Sequence, residues 1–341
     1  MFKTLLVPLD QSSTAEQALI PATQIAQKLN AHLDIVHVHE QASLANLRRG
    51  AWSVEQELSE LGYVAQAARR IAMQGQVETS SAVLEGHVAD SICARANDIG
   101  ADLIVMASHG HTGLDRTRLG SIADEVVRKS DVPVLMIRRN NEQHEVDVRT
   151  TSGPALFRRI LVALDGSARS MEILPAAVEL ARCNKAALVL LRVIEPVPLL
   201  FDAVGISAAA IVSGMPPFLP SAMQDIEATR TLCAEAKHEL SNAARLLADE
   251  DLAPIESYVV VATHAAAAIV DFVAASGVDL IAMSTHGRGA SRWLVGSVTD
   301  KVMAASGLSM LIARPVRQGK RVPSTTWSTE SDRVLIGVSA E

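Results

Sequence analysis

The chain has 341 residues, 49% hydrophobic, 20% charged and only 3% aromatic, with a formal net charge of −7. That length and apolar content predict two domains of ordinary size with well-buried cores. The negative balance argues against an electrostatic grip on nucleic acid or an anionic membrane, and no apolar stretch spans a bilayer without interruption.

The opening MFKTLLVPLDQSS lacks a charged n-region followed by a long apolar run, so no signal peptide is read there. In chain order, TLLVPLD predicts a first strand and STAEQALIPATQIAQKL a helix behind a Ser or Thr cap. LDIVHVH predicts strand two, SVEQELSELGYVAQAARRIAMQ a long amphipathic helix, and VETSSAVLEG strand three. A helix around Ser91–Asp98 follows, then strands DLIVMA and VPVLMIR with the helix IADEVVRKS between them. Strands and helices in alternation, with nearly continuous apolar strands, predict an α/β fold: a parallel sheet doubly wound by helices on both faces.

The chain then repeats itself. KTLLVPLDQS (Lys3–Ser12) returns as RRILVALDGS (Arg158–Ser167), and GADLIVMASHG (Gly100–Gly110) as GVDLIAMSTHG (Gly277–Gly287). LGSIADEVVRKSDVPVLMIRR (Leu119–Arg139) returns as VGSVTDKVMAASGLSMLIARP (Val295–Pro315). Three matches in one order indicate a duplicated domain. The expected divisions are a first domain at 1–138, a polar linker at 139–156, a second domain at 157–315 and a tail at 316–341. The second copy carries an apolar stretch at 196–224, longer than its counterpart in the first. It is read as a lid or a docking surface for a protein partner, or else as a flap over its own domain. The cysteines Cys93, Cys183 and Cys233 match no metal-ligand spacing. They fit small core residues of a protein in a reducing compartment, so a cytoplasmic location is expected.

In a doubly wound sheet, ligands sit beyond the carboxyl ends of the strands, where strand order reverses. The sequence places Asp10, His37, His39 and the loop SHGHTGLDRTRLGS (Ser108–Ser121) at that edge. Glycines between a strand and a helix let backbone N–H groups approach a phosphate, and Gly110, Gly113 and Gly120 suit that role. Arg116 and Arg118 could neutralise phosphate charge, and Ser121 could bind a phosphate oxygen or cap its own helix. The loop could equally be a tight structural turn; it is neither the Gly-Lys-Ser/Thr phosphate loop nor the dinucleotide fingerprint. Asp10 could contact a ligand or receive the N–H groups of the following helix. His37 and His39 share one side of a strand and, with His109 and His111, could serve a metal, although no cysteine or carboxylate stands at ligand spacing. No Gly-x-Ser-x-Gly elbow is present, so serine hydrolysis is unsupported.

The strand-one aspartates (Asp10, Asp165), each followed by a serine two residues on (Ser12, Ser167), and the glycine signature after strand four resemble the universal stress protein family. The resemblance covers both copies and implies a tandem member with a five-stranded parallel sheet in each domain. The sheets would pair through their fifth strands as an intramolecular pseudo-dimer, with a homodimer as a further assembly. In the ATP-binding members, adenine and ribose sit near the strand-one Asp and the end of strand two, with phosphates on the glycine loop. Carried across, this implies Pro8, Asp10, Val38, Met106, Ala107, Gly110, Gly120, Ser121 and Ile122 in the first copy. In the second it implies Asp165, Val193, Met283, Gly287, Gly296, Ser297 and Val298.

Both copies depart from the signature, whose first glycine is Ala107 in one and Ser284 in the other. Nine residues separate Gly110 from Gly120, as the family expects, but only eight separate Gly287 from Gly296. The first copy is therefore the expected site for ATP or a related adenine nucleotide, with the Mg²⁺ it carries. The expected role is a nucleotide-linked regulatory module of the stress response, with ATP hydrolysis slow at most. The other readings are a nucleotide-free interaction module and a metal-responsive protein.

Overall fold

The computed structural model describes residues 2–40, 54–75, 77–108, 120–138, 155–196, 219–248, 252–285 and 297–314. The first half runs β1 (Thr4–Leu9), α1 (Ser13–Glu16), α2 (Leu19–Leu29), β2 (His32–His39), α3 (Val54–Gly75) and β3 (Thr79–Glu85). It continues with α4 (Val88–Asp98), β4 (Leu103–Ala107), α5 (Ser121–Lys129) and β5 (Val134–Ile137). The second half repeats the order: β6 (Arg159–Leu164), α6 (Ala168–Met171), α7 (Leu174–Asn184), β7 (Ala187–Ile194), α8 (Leu219–Leu247) and β8 (Glu256–Val261). It closes with α9 (Ala265–Ser276), β9 (Leu280–Ser284), α10 (Ser297–Ala305) and β10 (Ser309–Ala313).

The helix expected over STAEQALIPATQIAQKL is two helices, and the reason is Pro21. A proline has no N–H for the carbonyl four residues back, which here is Gln17, the C-cap of α1. Pro175 does the same at Met171, where α6 ends. Ser12 and Ser167 cap the short helices, their hydroxyls accepting from the N–H of Ala15 at 3.0 Å and of Ser170 at 3.1 Å. Residues 219–224 of the apolar stretch expected as a lid belong to the start of α8; 197–218 lie outside the described residues.

The strands form one ten-stranded sheet in the order β3-β2-β1-β4-β5-β10-β9-β6-β7-β8. Every pairing is parallel except β5 with β10, which run antiparallel with Leu135 opposite Leu311. Each half is thus a five-stranded parallel sheet, and the fifth strands join them. At the foot of each half a β4-type aspartate fastens the first strand: Asp102 Oδ2 accepts from the N–H of Lys3 at 2.7 Å and of Thr4 at 3.0 Å. Asp279 does the same for Arg158 and Arg159, at 2.7 and 3.1 Å.

Alternation along the strands divides the core in two. Leu5, Val7, Leu9, Leu33 and Ile35 pack on the α2/α3 side with Ala22, Ile25 and Val64. Leu6, Val36, Val38, Ile104 and Met106 pack on the opposite side with Ala89, Ile92 and Val126 of α4 and α5. Burial on both faces accounts for the unbroken apolar strands. Asp34 is the exception within β2, 1% exposed. It takes two hydrogen bonds from Arg95, at 2.9 and 3.2 Å, and one from Ser80.

Candidate functional site

The crevice at the reversal of strand order is visible in the pairing itself. β1 pairs with β2 along its whole length, Thr4 to Leu9, but its register with β4 covers only Leu5–Leu103 and Leu6–Ile104. Both strands run three residues further, so β1 and β4 part toward their carboxyl ends. The second half repeats this: β6 meets β9 from Ile160 to Val162, although β6 continues to Leu164 and β9 to Ser284.

Apart from Ala107, whose strand parity is that of Leu103 and Val105, the described strand residues carried over from the family resemblance share one face beside this opening. Val38 and Met106 belong to the α4/α5-side core, Ile122 packs against it, and Pro8 shares the strand parity of Leu6. Ala163, Val193, Met283 and Val298 belong to or pack against the same layer in the second half. Ala107, at the end of β4, is buried. Gly110, Gly287 and Gly296 lie outside the described residues, as do Gly113, Arg116, Arg118, His109 and His111.

Asp10 follows β1 directly. Its Oδ1 accepts from the Ser12 N–H at 3.0 Å and from the Ser12 hydroxyl at 2.5 Å, while Ser12 caps α1. Asp165 and Ser167 repeat the motif at 2.9 and 2.6 Å. A carboxylate fixed through one oxygen by the following turn is preorganised at the crevice mouth. The turn residue between them has positive φ in both halves: Gln11 at 66° and Gly166 at 78°.

The glycine loop is closed at its base, because the Gly120 N–H donates to the Ser108 carbonyl at 2.9 Å. That N–H is therefore spent on the fold. Gly120 has φ −61° and ψ 145°, which any residue adopts, and it stands at the N-cap of α5 with no side chain capping the helix. Ser121 was a candidate cap by sequence; it is instead the first helical residue, with its side chain exposed. Residues after the cap present the N–H groups that lack partners within a helix, the feature anions use. In the second half Ser297 likewise opens α10, and the Thr299 hydroxyl donates to the Ser284 carbonyl at 3.1 Å.

His37 and His39 point to one side, as the strand period predicts, but it is the α2/α3 side, away from Val38 and Met106. There both meet Glu60 of α3: His39 Nδ1 is 3.1 Å from Glu60 Oε1 and His37 Nε2 is 3.9 Å from it. His37 Nδ1 lies 2.8 Å from the Leu9 carbonyl, so that nitrogen carries the proton. Glu60 is buried, and its Oε2 has no hydrogen-bond partner among the described residues. Sequence reasoning missed Glu60, yet a signal was available: it occupies the apolar stripe of α3 with Val64, Ala67 and Ile71. Nearby, the Tyr63 hydroxyl donates to Glu16 at 3.1 Å. Burial, with the negative charges of Glu16 and Asp10, holds this phenol well above its ordinary pKa.

Arg192 takes the place of His37 in the second half, since Leu164 pairs with Arg192 as Leu9 pairs with His37. Its side chain is 8% exposed and ion-paired with Glu239 of α8. The guanidinium lies on Gly166, where an added Cβ would stand 1.8 Å from Arg192 Nη1. The two crevices are thus differently furnished beside their aspartates.

Two tandem doubly wound α/β domains, each with a strand-one carboxylate at the switch point and a glycine loop after strand four, define the class. The universal stress protein family model matches residues 1–138 and again 156–314, and the chain belongs to that family as a tandem, two-domain member. A universal stress protein of Methanocaldococcus jannaschii is 31% identical over 146 residues, covering 42% of this chain and 86% of that protein. The stress response protein NhaX of Bacillus subtilis is 27% identical over 160 residues, covering 39% of this chain and 96% of that protein. Among solved structures, a universal stress protein from Archaeoglobus fulgidus superposes with a TM-score of 0.62 at 18% identity, over 92% of this chain and 98% of that one. At that identity the likeness speaks for the fold alone. Among the described residues, no helix is long and apolar enough to cross a membrane.

Proposed function

We propose that the first half binds ATP or a related adenine nucleotide, and that occupancy makes the protein a nucleotide-linked regulatory module of the stress response. The observation that carries this reading is the parting of β1 from β4 beyond Leu6 and Ile104, at the mouth of which the turn-fixed carboxylate of Asp10 stands. Pro8, Val38, Met106 and Ile122 offer an apolar wall for a base on the α4/α5 side. Asp10 offers an acceptor for ribose hydroxyls, and the start of α5 beyond Gly120 offers the backbone donors of Ser121 and Ile122 for phosphate. Gly110 and the rest of the loop would complete that cradle. Asp165, Val193, Met283, Gly287, Gly296, Ser297 and Val298 would form the second site, which we rank below the first. Its loop is one residue shorter, and Arg192 with Glu239 lies beside its aspartate.

The test is to denature the purified protein, chromatograph whatever it releases, and titrate the native protein with ATP by calorimetry with and without Mg²⁺. The reading expects a released adenine nucleotide or binding below millimolar ATP, lost in Gly120→Leu and kept in Gly296→Leu. Neither release nor binding would leave a nucleotide-free interaction module, and greater sensitivity to Gly296→Leu would move the site to the second half.

A further inference from the structure

We infer that His87, Asp90 and Glu125 form a binding site for one divalent transition-metal ion of the zinc class. His87 is the N-cap of α4, Asp90 lies in its first turn, and Glu125 lies in the facing helix α5. One ligand atom from each falls within 4.8 Å of the other two. The His87 ring stands between the two carboxylates, Nδ1 3.3 Å from Asp90 Oδ2 and Nε2 3.7 Å from Glu125 Oε2; a single ion takes one of these nitrogens, so the far carboxylate or the ring must turn to meet it. Ligands held about 2.1 Å from a tetrahedral zinc stand about 3.4 Å apart. Side chains exposed to 51%, 59% and 32% can close the remainder by rotation, and an ion can reach them from solvent. An imidazole with two carboxylates suits zinc, cobalt or nickel and leaves a fourth position for water.

A second observation shows that the position already favours a cation. Lys129 Nζ stands between the two carboxylates, 2.6 Å from Asp90 Oδ1 and 2.6 Å from Glu125 Oε1. Exposed ion pairs of this kind contribute little, so a metal ion displaces the ammonium readily.

The duplicated half supplies an internal control. α9 also begins behind a histidine cap, His264, but Ala267 stands where Asp90 does. Lys301 and Ala305 of α10 stand where Glu125 and Lys129 do in α5. One histidine survives there without either acidic partner, and the counter-ion is gone as well. The site belongs to the first half only, and an ion in it would tie α4 to α5.

The experiment titrates the full-length, nucleotide-free protein with Co²⁺, following its visible absorption, and with Zn²⁺ by competition. The expected result is one saturable ion per chain and a rise in melting temperature. His87→Ala or Asp90→Asn should weaken binding by at least about tenfold, the lower bound for losses even of outer partners of metal ligands. His264→Ala should change nothing, and Lys129→Met, which removes the competing ammonium, should tighten binding. These substitutions sit on the surface and leave the core untouched, so folding is preserved. The inference is overturned if no ion saturates, if His87→Ala binds as well as the parent, or if His37→Ala and His39→Ala abolish binding instead. Because no nucleotide is added, this outcome is independent of the ATP titration.

Discussion

Replacing Gly166 by alanine tests how the second half is furnished. At φ 78° a Cβ costs about 1–2 kcal/mol from backbone strain alone. The added methyl would stand 1.8 Å from Arg192 Nη1, so the guanidinium must leave its place. That side chain is 8% exposed and paired with Glu239, itself 49% exposed, which places the cost of disturbing the charged hydrogen bond near the lower end, about 1.5 kcal/mol. Gly166→Ala is therefore expected to lose about 3 kcal/mol in urea denaturation followed by circular dichroism. In an Arg192→Ala background only the backbone part remains, so the same change should cost about 1–2 kcal/mol. The first half supports this division, for Gln11 holds φ 66° with His37 in place of the arginine. A double-mutant cycle that is additive within about 0.5 kcal/mol would refute the coupling between Gly166 and Arg192.

Arg95→Ala should destabilise by about 3 kcal/mol or more in the same assay, because it strands the buried Asp34 carboxylate with Ser80; a cost under 1 kcal/mol would show that water reaches Asp34. Ser12→Ala should cost about 1 kcal/mol through loss of the α1 cap. It should also weaken any ligand that relies on Asp10, a paired effect to be read by denaturation and calorimetry. Burial pushes the thiols of Cys93 and Cys183 up to about 11. At pH 8 only about one thiol in a thousand is then the reactive thiolate. Both peptides should resist iodoacetamide, as read by mass spectrometry, until urea unfolds the protein.

The strands and their winding were legible because burial on both faces writes each strand as an unbroken apolar run, and because the chain says it twice. Pairing through β5 and β10 followed from the family resemblance, since nothing in VPVLMIR or LSMLIA distinguishes an inner strand from a joining one. Strand parity put His37 and His39 on one side of the sheet, but neither which side nor their partner was legible. Glu60 reaches them from a helix more than twenty residues along the chain, a contact that no local pattern specifies. The same holds for Glu125 meeting His87 and for Arg192 resting on Gly166. Ser121 was misplaced by one residue as a cap, since Gly and Ser are both acceptable there and only the dihedral angles decide.

The antiparallel seam between β5 and β10 has one further effect. Between separate chains a self-complementary contact of this kind would obey mass action and thin out on dilution. Here both strands lie on one polypeptide, so the seam holds at any concentration. It also frees the two faces from identical chemistry: in a dimer of one gene product every substitution appears twice, whereas here Glu125 and Lys301 occupy matching places with opposite charge. Arg314 uses that freedom, donating from the second half to the carbonyl of Arg128 at 2.7 Å, at the end of α5. One half is at liberty to change its trade while the other keeps the shared sheet whole.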